Sequence, residues 1–235
     1  MIHWWGLFYL LWTVVCYFFV KQWFIRTQKI WYSPIIVVPV LSIGLIVSLQ
    51  HHFTDYYHYT QYLVAMLGPM TVAFAIPVYR FRQFIRQHFK VLLFSSTTAM
   101  LMGLLSSWAL ASLFNLDPII QNSLLARSIS IPFALVLTEQ LGGSISLMPL
   151  FTVITGLIGM LLGDLMLWSM HCKHSLASGA AWGNAAHAMG IAKARQKQAE
   201  QGVIASLSMI ISGILMVLFA PLVVKWVHQL LQFFA

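Results

Sequence analysis

Residues Leu125–Gly143 read LARSISIPFALVLTEQLGG, an apolar run that carries Arg127, Ser128, Ser130 and Pro132 in its first half. Pro132 lacks an amide hydrogen, clashes with the carbonyl of Ser128 and pushes Ile131 away from helical dihedrals. A helix here is predicted to break near Ser130. Irregular backbone at membrane depth persists only where it faces protein or a wet cavity, so the break is expected to line a site. Half-helix ends also leave amides and carbonyls free to bind anions and cations.

The remainder of the chain supplies the membrane. Of 235 residues, 60% are hydrophobic and 8% charged, against roughly 45–50% and about 25% in soluble domains. That excludes a soluble enzyme and leaves no room for a second, soluble domain. Strong apolar runs at Trp4–Val20, Trp31–Leu49, Val91–Phe114, Leu147–Met170 and Val203–Val224 predict transmembrane helices. Weaker runs at Tyr62–Tyr79, Ile119–Thr138 and Leu176–Ala192 are interrupted by proline or by small residues. The fold class is an all-α polytopic membrane protein, and residues 1–235 form one integral membrane domain. The first run lacks a positive n-region and a cleavage site, and reads as a retained span.

Lys plus Arg number 13 against 5 Asp plus Glu, but the cations sit between apolar runs, so nucleic acid is not an expected partner. They alternate instead. Lys21, Arg26 and Lys29 follow the first run, and Arg80, Arg82, Arg86 and Lys90 follow the third, whereas the loops holding Asp55 and Asp117 carry no Lys or Arg. The positive-inside rule then places the N-terminus outside and the basic loops in the cytoplasm. If the runs at 119–138 and 176–192 dip in and return, Lys173 and the Lys193, Arg195, Lys197 group are cytoplasmic too, giving six spans; if they cross, there are eight. The element order also fits two repeat halves, 1–115 and 116–235, and paired interrupted segments point to a transporter site.

Arg127 costs about 3 kcal/mol or more at the bilayer centre, so it needs a partner or water. A carboxylate substrate would match its guanidinium fork; alternatively it snorkels or pairs with Glu139 or Asp164. In SGAAWGNAAHAMGIAKA (Ser178–Ala194), Gly179, Gly183, His187 and Gly190 fall on one face of a continuous helix, where another backbone can approach. Asn184 and His187 beside that face either bond neighbouring carbonyls or hold substrate, with His187 carrying a coupled proton. In MLGPMTVAFAIPVY (Met66–Tyr79), Gly68 and Pro69 break the run, Thr71 can bond freed carbonyls and Pro77 closes it.

His51, Asp55 and His58 could mimic a zinc site, but the stretch reads as an aromatic-rich surface loop. His171, Cys172 and His174 are too crowded for structural zinc. No metal or other cofactor is expected. No phosphate loop, nucleophile elbow or HExxH occurs, and the acidic residues are too scattered for paired-carboxylate chemistry, so an enzyme is not expected.

LGPMTVAFAIPVY, ARSISIPFALVLTEQLGG, LFTVITGLIGMLLGD and GNAAHAMGIAKA together resemble the signature stretches of the LrgB/CidB family, from about Tyr62 to Pro221. The resemblance implies a multi-pass protein of the bacterial inner membrane, antiholin-like and linked to murein hydrolase control and lysis. Relatives in plant plastids move glycolate and glycerate, and bacterial relatives with a smaller LrgA/CidA-like partner are implicated in pyruvate movement. The family's Pro-Lys-Ser-Val-Thr-Thr-Pro run corresponds to Ala126–Pro132, with Arg127 for lysine and Ile131 for a threonine. In its Gly-Thr-Ala-Ser-His-Ala-Leu-Gly pattern, Asn184 and Ala186 replace Thr and Ser, while Gly183, His187 and Gly190 are kept.

The expected function is a proton-coupled secondary carrier for small monocarboxylates, forming homo-oligomers. Its site would lie among the breaks near Gly68, Ser130 and Asn184, with Arg127 on the carboxylate and Ser128, Ser130 and Asn184 on its hydroxyl or keto oxygen. The alternative is an antiholin-like regulator of murein hydrolases without transport, in which the glycine face is an oligomer contact.

Overall fold

The computed structural model describes residues 4–27, 29–172 and 174–234, so Lys173, on which part of the orientation reading rests, lies outside the described residues. The elements are α1 (Trp4–Thr27), α2 (Pro34–Ser48), α3 (Phe53–Ala65), α4 (Leu67–Ala73), α5 (Ala75–Arg80), α6 (Arg82–Leu113), α7 (Pro118–Leu125), α8 (Ile131–Leu141), α9 (Met148–Ser169), α10 (Ser175–Lys197) and α11 (Ala199–Phe234). The chain is an all-α polytopic membrane protein. Among the described residues, five helical stretches are long and apolar enough to cross a bilayer: Trp4–Thr27, Phe53–Arg80 (α3, α4 and α5 in succession), Arg82–Leu113, Met148–Ser169 and Ala199–Leu222. The run expected to span at Trp31–Leu49 yields only the 15 residues of α2, about 22 Å of helix against a hydrocarbon core of about 30 Å.

Two compact units divide at Pro69 and Met70. In the first, α1 packs on α2 through Cys16, Val20 and Val38. Against α3 it places Gly6 under the Tyr59 ring, where a Cβ would stand 2.8 Å from a ring carbon. The Tyr9 hydroxyl meets His51 Nδ1 at 2.9 Å, and Thr13 meets the Tyr56 hydroxyl at 3.2 Å. The segment expected as a surface loop is therefore largely helical from Phe53 onward: the Asp55 carboxylate accepts from the His52 amide at 3.2 Å and caps α3. Among the described residues no three His, Cys, Asp or Glu side chains gather around a metal position.

The Tyr62–Tyr79 run is interrupted, one turn earlier than its prolines. α3 ends at Ala65 and α4 at Ala73, the residues whose carbonyls Pro69 and Pro77 cannot bond four positions on.

In the second unit, α6, α9 and α11 surround two short folded-back elements. α7 and α8 form the first. Asn122 Nδ2 donates to the Leu141 carbonyl at 2.7 Å, and the Ser144 amide donates to Ser123 Oγ at 2.7 Å, so the beginning and end of 118–141 lie together. α10 is the second. Ser175 Oγ donates to Gln198 Oε1 at 3.0 Å, although a straight helix between them would measure about 34 Å. Residues 118–141 and 175–197 are thus re-entrant hairpins, which settles the choice between dipping and crossing. The first has its base beside the start of α9 and the second beside its end, so they enter from opposite sides.

Candidate functional site

The first hairpin turns where expected. After Ala126–Ser128, a single 3-10 turn, Ile129 (φ −136°, ψ 171°) and Ser130 (φ −68°, ψ 147°) are extended, and α8 starts at Ile131. The predicted non-helical residue was Ile131; Pro132 instead sits in the first turn of α8, where its missing N–H costs nothing, and the extended pair precedes it. Gly142 closes α8 with φ 72°, a left-handed cap that glycine adopts without strain.

The second hairpin corrects the continuous glycine face. α10 breaks at His187 (φ 49°, ψ −129°) into arms 175–186 and 188–197, so Gly190 does not share a helix face with Gly179 and Gly183. A Cβ on Gly183 would collide with the Ala205 carbonyl of α11, and one on Gly190 with the Trp182 carbonyl of the opposite arm. Gly179 meets Ile204 of α11. All three glycines are covered by this chain itself, which removes them as an oligomer contact.

Both tips reach α9 halfway along its length. Arg127 donates from an Nη to Thr155 Oγ1 at 3.3 Å, while a Cβ on Gly156 or Gly159 would press on Met189, Ala185 and Ala186 of the second tip. The His187 ring faces the main chain of Arg127; neither ring nitrogen has a hydrogen-bond partner of normal geometry, although His187 is 4% exposed. Ser130 Oγ is likewise buried without a partner. Ser128 is seated against Gly103 of α6, where a Cβ would stand 2.6 Å from its hydroxyl.

The Arg127 guanidinium is half-buried and points along α6. Nε donates to Ser107 Oγ at 3.0 Å, and the other Nη to Ser106 Oγ at 3.4 Å. All of these acceptors are neutral hydroxyls. The alternative partner Asp164 is held by Lys193 at 3.1 Å and by Lys197. Asn184, on the last turn of the first arm, approaches Ser96 of α6.

Arg127, Ser128, Ser130, Asn184, His187, Pro132, Gly183 and Gly190 therefore all belong to the two hairpins. Gly68, Pro69 and Thr71 sit in α4; Gly68 and Pro69 close the first unit, and space around Gly68 is open. That segment touches the first hairpin farther on, where the Phe74 ring stacks on Phe133, 5.6 Å between centroids. Ser96, Ser106, Ser107, Thr155 and Ser208 were not foreseen; their only signal is a hydroxyl within an apolar span.

The LrgB-like family model matches residues 13–226. The chain belongs to the LrgB-like family. YwbG of Bacillus subtilis (strain 168) is 27% identical over 94% of this chain and 98% of its own length. YxaC of the same organism is 29% identical, over 92% and 94%. The holin-like protein CidB of Staphylococcus aureus (strain Mu50 / ATCC 700699) is 28% identical, over 93% and 96%. No solved structure matches the chain. The four sequence stretches lie within the matched residues, and in this chain the two most polar of them form the hairpin tips.

Proposed function

We propose that this LrgB-like protein is a secondary carrier of the bacterial inner membrane for small monocarboxylates such as pyruvate, glycolate or glycerate. The observation that carries the reading is Arg127: a cation inside a helical bundle, bonded to three neutral hydroxyls and beside two buried polar tips. A carboxylate arriving there supplies the missing negative charge and accepts two parallel N–H bonds. The start of α8 adds a partial positive charge. Ser128 and Ser130 take the keto or hydroxyl oxygen, and His187 takes a co-transported proton; Asn184 accepts from Ser96, about 15 Å along α6 from the Arg127 hydroxyls, too far to touch the same three-carbon acid. Opposed hairpins meeting at mid-membrane suit alternating access, each tip closing the route from its own side.

The test is uptake of labelled pyruvate, glycolate, glycerate and lactate into proteoliposomes, with the chain alone and with a small LrgA/CidA-like partner, each with and without an inward proton gradient. Saturable uptake that falls roughly 10- to 100-fold in Arg127→Ala is expected, the worth of a charged hydrogen-bond set. Arg127→Lys should keep part of it, since the charge stays and the fork is lost. Full uptake in Arg127→Ala would remove the anchoring role. A second reading draws on the holin-like name of CidB: regulation of murein hydrolases and lysis without solute movement. Absence of uptake in both formats by folded protein would favour it.

A further inference from the structure

The base of the second hairpin encloses a cavity of about 450 Å³, away from the hairpin tips. Its lining is divided by chemistry: Asp164, Lys197 and Gln201 on one side, Leu167 and Trp168 of α9 on the other. The Asp164 carboxylate is shared by Lys193, at 3.1 Å, and Lys197. With Arg195 and Glu200 at the same base, three cations face two anions and one positive charge stays uncompensated. An ammonium has three donors, and Lys197, its side chain 40% exposed, gives one to Asp164. The Trp182 ring, 5.4 Å from Nζ, steadies it. Gln201 Nε2 donates to Gln198 Oε1 at 3.0 Å, which leaves Gln201 Oε1 buried and without a partner. A buried acceptor in that state calls for a ligand or water that brings a donor.

The place of the cavity decides which anion fits it. α9 is a membrane-crossing helix, and the positive-inside rule puts its end, with Lys193, Arg195 and Lys197, at the cytoplasmic surface. Leu161, Leu165 and Trp168 follow one another at i, i+4 and i+7, one face of α9. All three are exposed, Trp168 by 76%. An apolar strip therefore leads from the cavity wall toward the hydrocarbon. A soluble anion has no use for it. A phospholipid does, with its phosphate at Lys197 and an acyl chain along Leu165 and Leu161. Basic pockets between helices on the cytoplasmic side suit anionic headgroups.

We propose that this cavity binds an anionic phospholipid whose headgroup carries a free hydroxyl, of the phosphatidylglycerol type, in the cytoplasmic leaflet. The phosphodiester accepts from Lys197, and the headgroup hydroxyl donates to Gln201 Oε1. A zwitterionic lipid brings its own cation to a place that already has one in excess, and a choline headgroup has no donor for Gln201. The bound lipid touches α9 at Trp168, the second arm of the hairpin at Lys197 and α11 at Gln201, so it ties the base of the hairpin together. The site rests on neither reading of the function.

The test is the thermal midpoint of the purified full chain in detergent, as phosphatidylglycerol, phosphatidylcholine or inorganic phosphate is added at fixed ionic strength. A rise of several degrees with phosphatidylglycerol, and none with the other two, is expected. The chain's net charge of +8 attracts anionic lipid everywhere, so Lys197→Gln is compared with Lys21→Gln, which removes the same charge from α1. The first should lose the rise and the second keep it. Lys197→Arg should keep it too, since a guanidinium suits phosphate. Trp168→Ala, at a position exposed enough to leave the fold intact, should shrink it. An equal rise with inorganic phosphate would make the occupant a soluble anion and overturn the lipid. A rise in Lys197→Gln as large as in Lys21→Gln would show bulk attraction only, and no rise in the unmodified chain would remove the site altogether.

Discussion

Hairpin 118–141 turns at Ile129 and Ser130, two residues ahead of a proline that cannot lie in a helix interior. Hairpin 175–197 turns at His187 with neither proline nor glycine at the turn, in a backbone conformation that L-residues rarely adopt. In the first, the chain's own covalent chemistry sets the break. In the second, the turn is imposed by what surrounds it: Gly183 against α11, Gly190 against the opposite arm, and Gly156, Gly159 and Gly163 of α9 beneath the tip and Trp182. Strain at His187 then marks a tip held in shape by packing, a common property of functional turns.

This contrast breaks most severely at Gly183. A leucine there meets the Ala205 carbonyl, a main-chain atom that cannot rotate aside. The second hairpin should fail to seat, with a loss of about 3 kcal/mol or more, visible as a collapse of the thermal midpoint or of folded yield. A midpoint near that of the unmodified chain would mean that packing does not hold the turn.

His187 sharpens the same point by a sign. Removing the ring with alanine leaves the positive φ; removing it with glycine relieves it. His187→Gly should therefore be more stable than His187→Ala by about 1–3 kcal/mol, whereas at an ordinary helical position alanine would be the better by about 1 kcal/mol. Paired thermal midpoints in one detergent give the order directly, and alanine ranking above glycine would show an unstrained turn.

The contrast also explains which features were legible in the sequence. Spans and the first break follow from local rules: apolar length, and Pro132 beside Ser130. The re-entrant course was one of two readings because basic loops constrain sides and not paths. The turn at His187 was hidden, since Gly179, Gly183, His187 and Gly190 fit a continuous helix equally well until their partners, Ala205 and the Trp182 carbonyl, are known. The guanidinium's surroundings were hidden for the same reason: Ser106, Ser107 and Thr155 are unremarkable hydroxyls until folding gathers them. The α3 helix was missed because its aromatic residues read as interfacial, while the cap that starts it, Asp55 on the His52 amide, is a local signal that was available.

At the hairpin bases the two elements should behave alike in size and differ in salt response. Ser123→Ala removes the acceptor for the Ser144 amide, closing bond of the first hairpin. About 1 kcal/mol should be lost, at low and high salt alike, because both groups are neutral. The second hairpin is closed by charge: Lys193 and Lys197 hold Asp164 of α9, whose side chain is 44% exposed. Exposure screens the attraction, so Asp164→Asn should cost only about 0–1 kcal/mol, and the difference should vanish in concentrated salt. Thermal midpoints across a salt series compare the two variants. A large, salt-insensitive loss in Asp164→Asn would mean that the second hairpin depends on its ionic base more than on the glycines at its tip, and would reverse the assignment of what holds each turn.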